Sequence, residues 1–300
     1  MKRRERHYWR NIIIVSLVAL LIGLFLTFYL ALPIIYANGI AKPKRAPVCC
    51  VTPEDWGLQY EDVSFQTNDG ITLKGWYIPS RNGAAVIVSH SIGGNRVGHL
   101  EKGVYLAENG FGVLLLDLRA HGESQGNMVT FDGADIIAAL DYLQTRDEID
   151  PQKIGVLGIS LGGLASIQAA AVRQDIKVVV AEGAAANKIW DFPRPPTLGH
   201  WFDLPFQVVT YWVLDNKGVT APISTVDAIG KISPRPIMLI SGAGSEYERA
   251  IQQKFYESAR GSTILWEVPD AEHAEAWQKC PGEYKERIML LFKQALLAGK

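Results

Sequence analysis

The chain has 300 residues, of which 48% are apolar and 20% are charged, and its formal net charge is −1 at pH 7. This length allows one large domain or two small ones. The charge shows neither the basic excess of a nucleic-acid-binding protein nor the acidic block of a disordered tail, so we predict no nucleic-acid partner.

The apolar amino-terminal segment predicts a membrane anchor. Residues 1–10 carry five basic side chains and one acidic side chain, and no further charge appears before Lys42. The apolar run 12–36 exceeds the ~20 residues that a helix needs to cross a bilayer. It is also longer than the apolar region of a signal peptide, and Ile35-Tyr36-Ala37 is a poor cleavage site, which favours a retained anchor.

The charges on either side of the apolar run predict its orientation. The basic cluster before the run favours an amino terminus in the cytoplasm and a following domain outside the cell membrane. Lys42, Lys44 and Arg45 on the far side weaken this prediction without reversing it. The predicted segments are 1–10 (cytoplasmic), 11–36 (a single transmembrane anchor), 37–58 (linker) and 59–300 (the main domain).

The three cysteines, Cys49, Cys50 and Cys280, do not predict a disulfide framework because their number is odd. No C-x-x-C pair is present, so we predict no metal site, and no cofactor is implied. A bridge from Cys49 or Cys50 to Cys280 and three free thiols are the two alternatives.

Strand and helix patterns alternate through the main domain. Residues 62–67 and 71–78 flank Asn68-Asp69-Gly70 and predict a hairpin. Further strands are predicted at 84–90, 112–118, 153–159, 176–181, 236–241 and 263–268, and helices at 96–109, 130–144, 161–172, 248–259 and 282–297. The alternation predicts an α/β fold with a mostly parallel eight-stranded sheet, helices on both faces and a ligand site beyond the carboxyl ends of the strands.

Gly158-Ile159-Ser160-Leu161-Gly162 lies between a predicted strand and a predicted helix. This context is typical of a nucleophile elbow, in which a tight turn holds the serine in a strained conformation at the amino end of a helix. The positive potential at that end favours a developing oxyanion. We therefore predict Ser160 as a nucleophile, the alternative being an idle serine in a glycine-rich turn.

A serine nucleophile needs a base, and His273 is the leading candidate because it follows the last predicted strand. A histidine at this place could instead cap a loop. His90 and His121 also follow strands, in tight motifs, and for His121 we favour a structural role.

Three motifs together resemble the α/β-hydrolase superfamily, with a likeness that runs from about Tyr60 to the end of the chain. Residues 89–95 (SHSIGGN) are similar to the family's His-Gly loop, residues 117–124 (DLRAHGES) to its Asp-x-Arg-Gly-His-Gly-x-Ser loop, and residues 157–163 (LGISLGG) to its elbow. The resemblance implies an oxyanion hole made by the backbone amides of Ile92 and Leu161. Ser91 stands where the family usually has glycine, which affects the shape of this loop.

The resemblance also implies an acid shortly after the strand at 236–241. Ser245 stands where aspartate is most expected, so we predict Glu246, one residue further along, to orient the imidazole. Glu182, directly after the preceding strand, is the second candidate. Glu248 and Asp270 are the remaining alternatives.

Residues 184–232 form a segment too long for a simple connection and rich in aromatic residues, which predicts the small cap that the family often inserts here. We favour packing of these aromatics onto the core over a lipid pocket. The resemblance implies a carboxylesterase-like or lipase-like serine hydrolase that acts on a small ester or acyl substrate. An aminopeptidase-like amide hydrolase and a non-catalytic binding protein on the same fold are the alternatives.

Overall fold

The computed structural model describes residues 2–193 and 198–298, built around one eight-stranded sheet with the order β1-β2-β4-β3-β5-β6-β7-β8. Strand β2 is antiparallel to both of its neighbours and the other pairs are parallel. Each predicted strand is confirmed to within one residue at either end. The strands are β1 (Glu61–Gln66), β2 (Thr72–Ile78), β3 (Ala85–Ser89), β4 (Gly112–Asp117), β5 (Ile154–Ile159), β6 (Ile176–Glu182), β7 (Ile237–Gly242) and β8 (Thr263–Val268).

Helices cover both faces of this sheet, and every residue of β3, β4 and β5 is buried, which explains their unbroken apolar sequences. One face packs against α2, α4, α5, α6, α7 and α8, and the other against α3, α9 and α10. The helices are α1 (Lys2–Leu26), α2 (Leu32–Ala41), α3 (Leu100–Glu108), α4 (Ala134–Leu143), α5 (Leu161–Val172), α6 (Leu198–Asn216), α7 (Thr225–Ile232), α8 (Glu246–Ser258), α9 (Ala276–Lys279) and α10 (Pro281–Phe292).

Three helix starts differ from the sequence prediction by two or more residues. Helix α3 begins at Leu100 rather than 96, because Arg96–His99 form a 3-10 turn before it. Helix α4 begins four residues late, because Gly133 adopts a left-handed conformation (φ 79°) just before it. Helix α8 begins at Glu246 rather than 248, because the Ser245 side chain caps it by accepting a hydrogen bond from the amide of Glu248 (3.2 Å).

Helices α1 and α2 are joined by a π-helical turn, Thr27–Ala31, into one continuous helix. Its stretch Arg4–Ala41 is long and apolar enough to cross a membrane, and its most apolar window is not buried in the protein. The first five residues of the segment predicted as a linker, 37–41, belong to α2. At this end the helix joins the core, since Pro33, Ala37 and Ala41 are buried and the Ala41 carbonyl accepts a hydrogen bond from Val129 (2.9 Å).

The chain after α2 is fastened to the loop that follows β4. The Arg45 guanidinium donates to four backbone carbonyls of that loop at 2.6–3.0 Å, those of His121, Gly122, Ser124 and Gly126. The side-chain amide of Asn95 holds the next residues by donating to the carbonyls of Ala46 (3.2 Å) and Pro47 (2.9 Å).

The cysteines and the cap complete the structure. A disulfide joins Cys49 to its neighbour Cys50, and Cys280 is a free thiol, so neither sequence alternative for the cysteines is correct.

The segment predicted as a cap holds α6 and α7, and α6 packs against α2. Its residues 194–197 lie outside the described residues.

Candidate active site

Ser160 occupies the turn between β5 and α5 with φ 53° and ψ −109°, a conformation that costs a non-glycine residue ~1–3 kcal/mol. The turn closes tightly only because it is flanked by glycines. A Cβ on Gly162 would lie 2.6 Å from the Ser89 carbonyl oxygen, and one on Gly158 would collide with the backbone of Gly162. The strained elbow therefore presents a serine that is 8% exposed at the carboxyl edge of the sheet.

His273 lies in the loop after β8 and contacts Ser160. Its Nε2 is 3.0 Å from Ser160 Oγ, and its Nδ1 is 2.6 Å from Glu248 Oε2. The hydrogen bond to Glu248 raises the pKa of His273 above its ordinary value, against the opposing effect of burial. Three side chains that follow three different strands, β5, β7 and β8, thus form one hydrogen-bonded chain.

The acid in this chain is Glu248, and the prediction that Glu246 orients the imidazole is wrong. Glu246 is the first residue of α8 and is exposed. Two residues along a helix correspond to a rotation of ~200°, so the two side chains point in nearly opposite directions. Glu248 turns back to the sheet, where its Oε1 accepts a hydrogen bond from the Gly242 amide (2.8 Å) at the end of β7.

A sequence signal for Glu248 exists in the spacing Ser245-x-x-Glu248. A serine followed three residues later by glutamate marks a helix start with the serine as N-cap. That reading places Glu248 in the third helical position, facing back past the helix start. A helix predicted to start at 248 leaves Ser245 too far ahead to serve as its N-cap.

The other two candidate acids, Glu182 and Asp270, lie outside this hydrogen-bonded chain. Glu182 is buried at the end of β6, where it accepts hydrogen bonds from the amide of Ala276 (3.0 Å) and the hydroxyl of Tyr284 (2.9 Å). Burial raises its pKa. Asp270 is exposed in the turn before His273, with φ 56°. Within residues 2–193 and 198–298, neither carboxylate is hydrogen-bonded to the imidazole.

The two amides expected in the oxyanion hole flank the elbow. Leu161 is the first residue of α5 and Ile92 lies in the loop after β3. In the part of the chain that the structure describes, no hydrogen bond engages either N–H. Both donors are therefore available to a ligand, and the first sits at the positive end of a helix dipole.

Two buried histidines shape the loop around Ile92. His121 Nε2 accepts a hydrogen bond from the Gly93 amide (3.0 Å), while its Nδ1–H donates to the Arg119 carbonyl (2.9 Å). His90 Nε2 accepts from the Leu118 amide at 3.1 Å, and burial lowers the pKa of His90 to about 3. Burial also lowers the pKa of His121. Both rings are neutral and accept backbone hydrogen bonds, which agrees with the structural role favoured for His121.

A buried ion pair ties the two loops to each other. Asp117 Oδ2 lies 2.6 Å from Arg96 Nη1, and its Oδ1 accepts a hydrogen bond from the Arg96 amide (2.7 Å). The Asp117 and Arg96 side chains are 0% and 4% exposed. The loop after β3, which carries Ile92, is therefore braced from the end of β4.

Across the described ranges, no group of three or more His, Cys, Asp or Glu side chains is arranged to hold a metal ion. The chemistry available at this edge of the sheet is that of a serine hydroxyl, an imidazole with a carboxylate partner, and two free amides. This set is suited to nucleophilic attack on a carbonyl with proton transfer through the imidazole.

Comparisons with known proteins identify relatives of the same fold. Residues 84–212 match the family described as alpha/beta hydrolase fold. Over its length the chain is similar to the uncharacterized protein YfhR of Escherichia coli K12, with 27% identity covering 81% of this chain and 84% of YfhR. It is also similar to the alpha/beta hydrolase domain-containing protein WAV2 of Arabidopsis thaliana, with 27% identity over 76% of each chain.

Among solved structures, the esterase Pf2001 of Pyrococcus furiosus superposes with a TM-score of 0.69. The sequence identity is 27%, and the match covers 86% of this chain and 98% of the esterase.

Proposed function

Because this chain belongs to the α/β-hydrolase superfamily, we propose that it is a serine hydrolase that cleaves carboxylic esters through an acyl-enzyme on Ser160. The similarity to esterases and other hydrolases supports a hydrolase. The observation that carries the serine assignment is the hydrogen-bonded chain from Ser160 through His273 to Glu248. The choice of an ester substrate is supported by the similarity to the esterase Pf2001.

In the proposed acylation step, Ser160 Oγ attacks the ester carbonyl while its proton moves to His273 Nε2, 3.0 Å away. The carbonyl oxygen becomes an oxyanion that the amides of Leu161 and Ile92 stabilise. The ester C–O bond then breaks, the imidazolium returns its proton to the departing alkoxide, and an alcohol leaves. The carboxylate of Glu248 stabilises the imidazolium and holds Nδ1 protonated, so that Nε2 is free to accept.

Deacylation repeats these steps with water. His273 removes a proton from a water molecule, the resulting hydroxide attacks the acyl carbonyl, and the proton goes to Ser160 Oγ as the acyl bond breaks. The products are a carboxylic acid and regenerated enzyme, and no oxidant, metal or organic cofactor enters the balance.

We also propose that the N-terminal helix is a single-pass anchor, with its amino terminus in the cytoplasm and the hydrolase outside. The uninterrupted apolar helix and the basic residues before it support this orientation. Of the three cations on the far side, Arg45 is bound to backbone carbonyls of the domain.

The test uses the full chain in detergent with a fluorophosphonate probe and p-nitrophenyl butyrate. We expect one adduct, on Ser160, and ester hydrolysis that Ser160→Ala lowers by ~10⁴-fold or more, as in other enzymes whose triad serine is removed. A folded protein without an adduct would favour the non-catalytic alternative. Cleavage of butyryl p-nitroanilide at a rate comparable to that of the intrinsically more reactive ester would favour the amide hydrolase.

A further inference from the structure

A cavity of about 570 Å³ lies between α2 and the cap helix α6, within the range of volumes that bind small ligands. The turn before α2 supplies Phe28, α2 supplies part of one wall and α6 part of the opposite wall. Most of its lining is apolar or aromatic, including Phe28, Tyr36, Ile40, Phe192, Phe206 and Tyr211. Asp203 also lines the cavity and is exposed.

This cavity approaches the oxyanion loop through a second one. A cavity of about 660 Å³ shares the side chains Tyr36 and Ile40 with the first and extends to Ile92 and Gly93. Tyr247, next to Glu248 in the chain, lines the first cavity. The two cavities therefore lie against the same helix, and the second one reaches the loop that carries the residue proposed to bind the oxyanion.

The cap meets the N-terminal helix within its apolar run. The ring of Phe206 on α6 lies 6.1 Å from that of Phe28 and 5.8 Å from that of Tyr36. Phe28 is 16 residues beyond Ile12, the start of the apolar run, or ~24 Å along the helix, which is less than the ~30 Å of a hydrocarbon layer. If the helix enters the hydrocarbon layer at Ile12, then α6 contacts the N-terminal helix at a depth that is still inside that layer.

The outer surface of α6 fits such a position. Trp201, Phe202 and Trp212 are 54%, 66% and 63% exposed. Aromatic side chains of this kind concentrate at the boundary between lipid and water. Large exposed apolar side chains are costly in water, and burial in the bilayer surface removes that cost.

We propose that the cavity between α2 and α6 binds the acyl chain of a lipid ester taken from the bilayer, with the membrane helix forming one of its walls. This inference rests on the proposed function, because an acyl chain bound in the cavity would present its ester carbonyl to Ser160. The aromatic residues of the cap then serve the substrate as well as the packing. Hydrolysis leaves a fatty acid in the cavity and releases the alcohol portion of the lipid.

The first test compares full-length variants in phosphatidylcholine vesicles with p-nitrophenyl esters from acetate to decanoate, with rates expressed per Ser160 labelled by a fluorophosphonate. In the wild type, kcat/KM should rise ~3–4-fold per added methylene that enters the cavity. Ile40→Trp fills the cavity and should lower the decanoate-to-acetate ratio by tenfold or more. Ile35→Trp, an exposed isoleucine of the same helix, is the matched control and should keep the wild-type ratio.

Partition of the esters into the vesicles is equal for all variants, so only the difference between the two tryptophan variants counts. Equal ratios for Ile40→Trp and Ile35→Trp would overturn the proposal while leaving the esterase assignment intact. Should Ile40→Trp not fold, Phe206→Ala supplies a second variant, because it enlarges the cavity. We expect this variant to move the optimum to longer acyl chains. An unchanged optimum would overturn the proposal and leave the esterase assignment intact.

The second test does not depend on hydrolysis. Vesicles containing a phosphatidylcholine with a diazirine at the end of one acyl chain are irradiated with the full-length Ser160→Ala variant, and adducts are located by mass spectrometry. Adducts on cavity residues such as Thr210 and Tyr211 are expected, and Ile40→Trp should remove them. Adducts confined to the exposed face around Ile35 would overturn the proposal, whether or not the wild type cleaves esters.

Discussion

The contact between Glu248 and His273 makes a quantitative prediction for Glu248→Gln. Oε1 of Glu248 accepts from the Gly242 amide at 2.8 Å, and Oε2 faces His273 Nδ1 at 2.6 Å. In the variant, the amide oxygen is the only group able to accept from Gly242. The amide NH₂ is then directed at Nδ1, which must accept, and the imidazole proton moves to Nε2.

The magnitude follows from two losses. Loss of the hydrogen bond between the carboxylate and the imidazolium removes ~1.5–3 kcal/mol of imidazolium stabilisation, or ~10–150-fold in rate. Reversal of the tautomer removes the acceptor for the Ser160 proton, and in a well-studied serine protease the corresponding change lowers kcat by ~10⁴-fold. We therefore expect kcat for p-nitrophenyl butyrate to fall by ~10³–10⁴-fold in Glu248→Gln.

Glu246→Gln is the matched control, since Glu246 is exposed on the same helix, and its rate should stay within about twofold of the wild type. The pH profile supplies a second readout. Hydrogen bonding to Glu248 raises the pKa of His273, so its loss should move the acid limb of kcat/KM to lower pH. A large loss in Glu246→Gln with a normal rate in Glu248→Gln would refute this reasoning.

Three further predictions concern the support of the site. Gly158→Ala places a methyl group against the elbow backbone and should abolish fluorophosphonate labelling and lower the melting temperature measured by circular dichroism. Asp117→Asn leaves the buried Arg96 guanidinium with a neutral partner, so the free energy of unfolding measured in urea should fall by ~3 kcal/mol. A change below about 1 kcal/mol would contradict the role of this ion pair in holding the loop. His121→Phe removes the acceptor for the Gly93 amide and should lower kcat by ~10–100-fold with little change in KM, whereas an effect on KM alone would show that the loop does not position the oxyanion donor.

The sequence was sufficient to predict the sheet and the ends of its strands. Buried parallel strands such as β3 and β5 are continuous apolar runs. Ser160 comes directly after β5, and His273 lies in the short loop after β8. Their proximity follows from the fold because the carboxyl ends of parallel strands share one edge of the sheet.

Other features depend on geometry that has little trace in a single sequence. The choice between Glu246 and Glu248 depends on where α8 begins, since two residues reverse the direction of a helical side chain. The role of Arg45 was missed because its four partners are backbone carbonyls, which every residue possesses. The Cys49–Cys50 bridge joins neighbouring residues, and an odd number of cysteines does not predict such a pairing.

The tight junction between α2 and the domain bears on how the catalytic body moves. Ala41 is buried, and only a few residues separate it from Arg45, which is held by four hydrogen bonds. A spanning helix changes its tilt when the thickness of the surrounding lipid changes. If the helix spans the bilayer as proposed, no slack segment absorbs that rotation and the proposed active site turns with the helix. Lipid thickness then controls the direction in which Ser160 faces.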